Sequence, residues 1–99
     1  MNRNEKPKLA IVIPCYNEEL CIESTVKRLF EVLNDLIAKD KILADSYIYL
    51  VDDGSKDTTW DIIANLHNEN ALVKGTKFIR NFGNQKALLA GLEGVRDLG

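Results

Sequence analysis

The segment Tyr47–Trp60, YIYLVDDGSKDTTW, decides the fold. Tyr47-Ile48-Tyr49-Leu50-Val51 is uninterrupted aliphatic, β-branched and aromatic sequence, the pattern of a buried strand. The run ends at two carboxylates, Asp52 and Asp53. Gly54 and Ser55 turn the chain, Asp57 is placed to cap a helix, and Thr58-Thr59-Trp60-Asp61 begin it. In an open parallel sheet the carboxyl ends of the strands face the ligand crevice. Two acids at that position read as part of a site rather than of the core.

The same strand-then-helix pattern flanks this segment on both sides. Upstream, Leu9-Ala10-Ile11-Val12-Ile13 is a continuous apolar run suited to a buried strand, and Pro14, which cannot donate to a central ladder, is expected to stop it. Asn17 reads as an N-cap, with Glu18 and Glu19 at the positive end of a helix. Ile22, Val26, Leu29, Phe30, Leu33, Leu36 and Ile37 then recur at spacings of three and four, one apolar face reaching to about Lys39. Downstream, a helix is expected over 57–69 with Trp60, Ile63 and Leu66 inward. Ala71-Leu72-Val73 begins a third extended segment, broken by Gly75 and resuming at Thr76-Lys77-Phe78-Ile79. Arg80-Asn81-Phe82-Gly83-Asn84 is a loop. A third helix follows from Gln85 to about Leu98, with Leu88, Leu89, Leu92 and Val95 as its apolar stripe and Gly91 and Gly94 packing it closely on the sheet. Strands alternating with helices of this length mean parallel βαβ units with right-handed crossovers. The fold class is α/β, a three-layer βαβαβα arrangement with a parallel sheet.

Ninety-nine residues suffice for one small domain: residues 1–7 read as a flexible polar tail and 8–99 as the folded part. With 45% hydrophobic and 28% charged residues the composition is that of a soluble globular chain, which excludes a disordered one. A net charge of -2 gives no general attraction to nucleic acid or to an anionic membrane, so no nucleic-acid partner is expected. No apolar run approaches the roughly 18 residues of a membrane span. Cys15 and Cys21 without a secretory signal point to a reducing, cytoplasmic compartment and to free thiols, since their spacing is not that of a zinc pair. His67 stands alone, and no metal site is read from the chain. Three parallel strands with helices leave a small core and two bare sheet edges. The chain therefore reads as the first half of a larger domain, and a bare edge invites a homodimer, with the third strand as the pairing strand.

Parallel strands place all three strand ends at one edge. Pro14-Cys15-Tyr16-Asn17-Glu18, Asp52-Asp53-Gly54-Ser55 and Arg80-Asn81-Phe82-Gly83 are expected to line one crevice, with Lys86 a turn beyond. That set suits a nucleotide: a base against Tyr16, a carboxylate accepting from a base N–H, and Arg80 and Lys86 facing phosphate charge. Neither a P-loop nor a dinucleotide-binding glycine fingerprint is present.

These residues resemble a known family. Ile11-Val12-Ile13-Pro14-Cys15-Tyr16-Asn17-Glu18-Glu19, followed by Val51-Asp52-Asp53-Gly54-Ser55-Lys56-Asp57-Thr58-Thr59, is similar to the start of a family 2 glycosyltransferase with the GT-A (Rossmann-like) fold. Ile79–Leu92, IRNFGNQKALLAGL, is similar to the branch that passes a sugar to bactoprenol or dolichyl phosphate. The resemblance covers about Leu9 to Leu98. It implies that Pro14, Tyr16 and Glu18 border the nucleoside. Asp53 would read the base edge, with Asp52 holding the loop or sharing that task, and Arg80 and Lys86 would lie near the diphosphate. It implies a nucleotide-sugar donor, with UDP the commonest nucleotide of the family, and a polyprenyl phosphate or glycan acceptor. It also implies inversion at the anomeric carbon, a divalent metal (magnesium or manganese) in the full-length protein, and a location at the cytoplasmic face of a membrane. The family's metal-binding Asp-x-Asp follows a further strand and is not in this sequence, so no catalytic residue, no metal and no turnover are expected of residues 1–99 alone.

Two other readings use the same pattern. A receiver-like signalling domain also pairs acids at strand ends, but carries them after its first strand, which here ends in Pro14-Cys15-Tyr16. A stand-alone nucleotide-binding or assembly module would need no further sequence.

Overall fold

A computed structural model describes residues 6–98; the tail residues 1–5 and Gly99 lie outside the described residues. The elements run β1 (Ala10–Cys15), α1 (Ile22–Ala38), β2 (Tyr47–Asp52), α2 (Thr59–Glu69), β3 (Val73–Lys77) and α3 (Asn84–Leu98). The three strands are parallel in the order β1-β2-β3. Ala10 is level with Tyr47 and Cys15 with Asp52, and Ile48 is level with Val73. The expected three-layer α/β architecture is therefore present.

Side-chain alternation along β2 divides its residues between two layers. Ile48 and Leu50 face α1 and α2, in a core with Ile22, Val26, Leu33, Ile63 and Val73. Tyr49 and Val51 face α3, where the backbone of Gly94 lies on the Tyr49 hydroxyl and that of Gly91 on Val12 and Val51. At the base of the sheet the buried Ser46 hydroxyl accepts from Leu9 N–H and donates to the Leu43 carbonyl. Lys6 and Pro7, read as part of the tail, are tied down: Lys6 pairs with Asp40, and the Pro7 carbonyl accepts from Leu43 N–H.

Four local expectations are corrected. The strand β1 runs through Pro14 to Cys15 rather than stopping at the proline. The ladder bonds Tyr47 N–H to Leu9 O and Asp53 N–H to Cys15 O turn odd-numbered residues of β1 toward β2, so the missing N–H of Pro14 faces outward, where no ladder needs it. The helix α1 begins at Ile22, not after Asn17. Asn17 adopts φ 51°, and its side chain is engaged elsewhere, so residues 16–21 stay irregular. The strand β3 is continuous through Gly75. The absent Cβ there gives room to Ile63 and Trp60 rather than breaking the strand, and Ile79 lies beyond its end, almost wholly exposed.

The stripe Leu88, Leu89 and Leu92 does not face the sheet: these side chains are 42%, 59% and 52% exposed. Ala87 and Gly91 are the buried residues of α3. A Cβ on Gly91 would stand 2.4 Å from Val12 Cγ1 and 2.8 Å from Val51 Cγ2, so small residues let α3 approach and its leucines are turned aside. The expected close packing through Gly91 and Gly94 is what displaces them.

Gly91→Val therefore overpacks the α3–sheet layer. It should cost about 1–3 kcal/mol, read as a lower urea midpoint, whereas Leu89→Ala on the exposed face should shift the midpoint by less than about 0.5 kcal/mol.

Candidate functional site

Three loops leave the carboxyl ends of the strands, and each is bonded to its neighbour. The link between the first two (residues 16–21 and 53–58) is made mostly by backbone N–H groups that no strand or helix satisfies. Asn17 N–H donates to Ser55 Oγ (2.9 Å) and Glu18 N–H to Thr59 Oγ1 (2.8 Å). In return Lys56 N–H donates to Asn17 Oδ1 (2.9 Å), and Thr58 N–H to Glu19 Oε2 (3.0 Å). Asp57, expected to cap α2, sits one residue before the N-cap Thr58, which makes no side-chain cap bond; its carboxylate instead closes a turn at the helix start, accepting from Thr59 N–H (2.9 Å) and the Thr59 hydroxyl. Those bonds hold its carboxyl below the usual range against the opposing desolvation.

The second and third loops are joined by Asp53 and Gly54. Asp53 is buried at 3% exposure, and its two oxygens accept from Phe82 N–H (2.8 Å) and Gly83 N–H (3.1 Å). Gly54 has φ 73°, and a Cβ on it would lie 2.2 Å from the Arg80 carbonyl carbon. Only glycine fits both that conformation and that approach. Asp52 is fully buried: Oδ1 accepts from Ser55 N–H (3.0 Å), while Oδ2 has no partner among the described residues.

The site residues named from sequence fall at this rim with different exposures. Tyr16 is 40% exposed at the end of β1, and Pro14 and Glu18 are half-buried beside it. Arg80 is exposed and places its guanidinium 4.8 Å from the Phe82 ring centroid. Lys86 is exposed in the first turn of α3 and makes no ion pair or hydrogen bond among the described residues. Asp53, expected to meet a base edge, has one lone pair of each oxygen engaged by the loop and one remaining on each. Glu19 and Thr59 are not among the residues expected to line the crevice, although with Ser55 they hold the first loop. The signal for Thr59 is the dense polar run SKDTT, which reads equally as a helix start.

Cys15 lies under the rim. Burial first, then the charges of Glu18 and Asp52, push its thiol up to about 12. No group of three or more His, Cys, Asp or Glu among the described residues could hold a metal ion. The rim carboxylates Asp53, Asp57 and Glu19 are turned onto backbone N–H groups, mostly those of the neighbouring loop. The residues present do not fit the divalent metal that the resemblance implies.

A groove of about 620 Å³ runs along the outer side of β3, lined by Trp60, Ile63, His67, Lys74 and Asp97 among others, away from the rim. No helix among the described residues is long and apolar enough to cross a membrane.

A parallel, Rossmann-like α/β sheet whose three loops are bonded into one polar rim at the strand ends defines a ligand-binding α/β unit. Comparison with known sequences makes the assignment specific: the profile of glycosyl transferase family 2 matches residues 10–97, and the chain belongs to that family. It is 47% identical over 95 residues to YkoT, an uncharacterized glycosyltransferase of Bacillus subtilis, covering 96% of this chain and 28% of that protein. It is 40% identical over 86 residues to the uncharacterized glycosyltransferase sll0501 of Synechocystis, covering 87% of this chain and 25% of that protein. It is 39% identical over 88 residues to the bactoprenol glucosyl transferase of Shigella phage SfX, covering 87% of this chain and 26% of that protein. The chain thus spans about a quarter of the length of these relatives.

Two predictions follow from the rim. Asp53→Asn keeps the volume but turns one N–H donor toward the loop amides. It should cost about 2 kcal/mol and speed hydrogen exchange at Phe82 and Gly83 before any other amides. For Cys15, an unfolded thiol ionises near 9 and the folded one at about 12. The stability contributed by the neutral thiol is thus present below pH 9 and lost as pH rises toward 12. Urea midpoints measured across that range should fall less steeply in Cys15→Ala than in the parent.

Proposed function

We propose that the whole protein transfers a sugar from a nucleotide sugar, a UDP-sugar, to a polyprenyl phosphate with inversion, and that residues 8–98 supply the nucleotide-binding wall. The observation that carries this reading is the bonded rim: residues far apart in sequence are held together at the strand ends of a family 2 glycosyltransferase chain. The named bactoprenol and undecaprenyl-phosphate transferases among its relatives support the acceptor class.

In this reading Tyr16 offers its exposed face to the base, bordered by Pro14 and Glu18. Asp53 uses its remaining lone pairs for base N–H groups while its first pair keeps the third loop in place, and Asp52 holds the turn through Ser55. Arg80 and Lys86 offset the diphosphate charge. An oxygen of the acceptor phosphate attacks the anomeric carbon from the face opposite the leaving group. That bond forms as the bond to the nucleotide diphosphate breaks, and the nucleotide leaves with the electron pair. The divalent metal expected in the family has to take its ligands from outside the described residues, and so do the acceptor site and any base. Residues 1–99 alone are then a binding unit without turnover, acting at the cytoplasmic face of a membrane in the whole protein.

Titration of the chain with UDP, GDP and ADP, followed by amide shifts, tests this. The expected result is perturbation confined to residues 14–18, 52–55 and 80–86, strongest with UDP. Removing the exposed ring in Tyr16→Ala should weaken binding by about 1–3 kcal/mol without changing the thermal midpoint. Shifts clustered in the groove along β3 instead would rule the rim out, and sugar transfer by the 99-residue chain would rule out a purely binding role.

A further inference from the structure

The third loop is held to β2 and to the turn after it at three points of its backbone. Phe78 N–H, just past the end of β3, donates to the Asp52 carbonyl (2.8 Å). The Arg80 carbonyl group lies directly on Gly54, in space that a Cβ would need. Phe82 and Gly83 N–H donate to the two oxygens of Asp53. Gly83 extends this anchor to α3, because its carbonyl accepts from Ala87 N–H (3.0 Å). One buried carboxylate therefore fixes the backbone at residues 82 and 83 and, through them, the first turn of α3 that carries Lys86.

At the middle of this loop Arg80 is exposed, and it forms no ion pair among the described residues. Its guanidinium lies instead over the Phe82 ring, 4.8 Å from the centroid. That ring is braced in turn: Phe78 meets it in a T-shaped contact, with centroids 5.4 Å apart and planes at 90°. At 38% exposure Phe82 is not a core residue, so its ring supports the loop rather than the sheet. A guanidinium on a ring face is held by the ring quadrupole and gives up none of its N–H donors. A carboxylate partner would have occupied those donors and offset the charge. An arginine free at a surface samples many rotamers, and an anion that binds it has to order it first. Phe82 does part of that ordering before the anion arrives.

We propose that Phe82 is a positioning residue of the rim: fixed at its amide by Asp53 and at its ring by Phe78, it presents the Arg80 guanidinium to the diphosphate of a nucleotide. This inference rests on the nucleotide-binding reading of the rim. In that reading the base engages the lone pairs that Asp53 keeps, and the diphosphate engages Arg80. Asp53 holds the Phe82 amide, and the Phe82 ring holds Arg80. Base and diphosphate are thereby read through one connected piece of structure, although their contacts lie on different loops. The ring matters only to ligands that carry the diphosphate. A nucleoside held by Tyr16 and Asp53 alone does not call on Arg80, and so does not call on the ring beneath it.

Amide-shift titrations of the 99-residue chain with UDP and with uridine test this. Phe82→Leu keeps the backbone N–H and an apolar side chain against Phe78, so amide exchange at residues 82 and 83 should stay as in the parent. It should weaken UDP binding by about two- to fivefold and leave uridine binding unchanged. Phe82→Tyr, which keeps the ring, should retain the parental UDP affinity. In an Arg80→Ala background, Phe82→Leu should cause no further loss, whereas a purely structural role would add its own. Without any ligand, the side-chain protons of Arg80 should show upfield ring-current shifts that Phe82→Leu abolishes. Equal losses for UDP and uridine, no loss for either, or losses that add to those of Arg80→Ala overturn the positioning role and leave the rim as the nucleotide site. UDP that perturbs none of residues 14–18, 52–55 and 80–86 overturns the nucleotide reading and this inference together.

Discussion

The buried carboxylate of Asp53, accepting from the N–H groups of Phe82 and Gly83, is the interaction on which the rim depends. A parallel sheet ends in loops whose backbone donors have lost their ladder partners, and a buried donor without a partner costs more than a satisfied one returns. Here the acids and hydroxyls of the polar run after β2 answer that need. Asp53 and Gly54 reach the third loop, and Ser55, Asp57, Thr58 and Thr59 reach the first. The acid-rich rim is thereby compatible with an anionic nucleotide: several of its carboxylates are already paired with N–H dipoles, and the cations Arg80 and Lys86 remain exposed.

The same economy of contact governs the layers. The helix α3 meets the sheet through Ala87, Gly91 and Gly94, and close approach replaces side-chain bulk. Its leucines Leu88, Leu89 and Leu92 are turned off the sheet and stand about half exposed. Among the described residues β1 has no strand on its outer side, and it is this strand that carries Pro14, a residue that only an outward-facing position tolerates.

Much of this was legible in the sequence. The alternation of β-branched runs with helices of three- and four-residue spacing determined the element order, the parallel sheet and hence the common rim. The motifs around Pro14–Glu18, Asp52–Ser55 and Arg80–Gly83 determined the family. Periodicity failed at α3, because an apolar stripe and a small-residue stripe both satisfy a helical repeat, and only the distance to Val12 and Val51 selects between them. It failed at Pro14 because whether a strand is central or at an edge depends on which neighbours the sheet assembles. It failed at Asn17 because a capping residue can serve its own helix or another loop, and the nearer donor, Lys56 N–H, lies 39 positions away in sequence.

By itself, then, the sequence determined which segments extend, which coil, and which residues gather at the strand ends, since these follow from local propensity and from the direction rule of parallel βαβ units. Only the tertiary structure decided what the gathered residues do there: that Asp53 clamps a loop, that Asp52 keeps an unpartnered oxygen, and that the leucines of α3 face outward. Those outcomes depend on distances between segments far apart in the chain, and no local pattern encodes a distance.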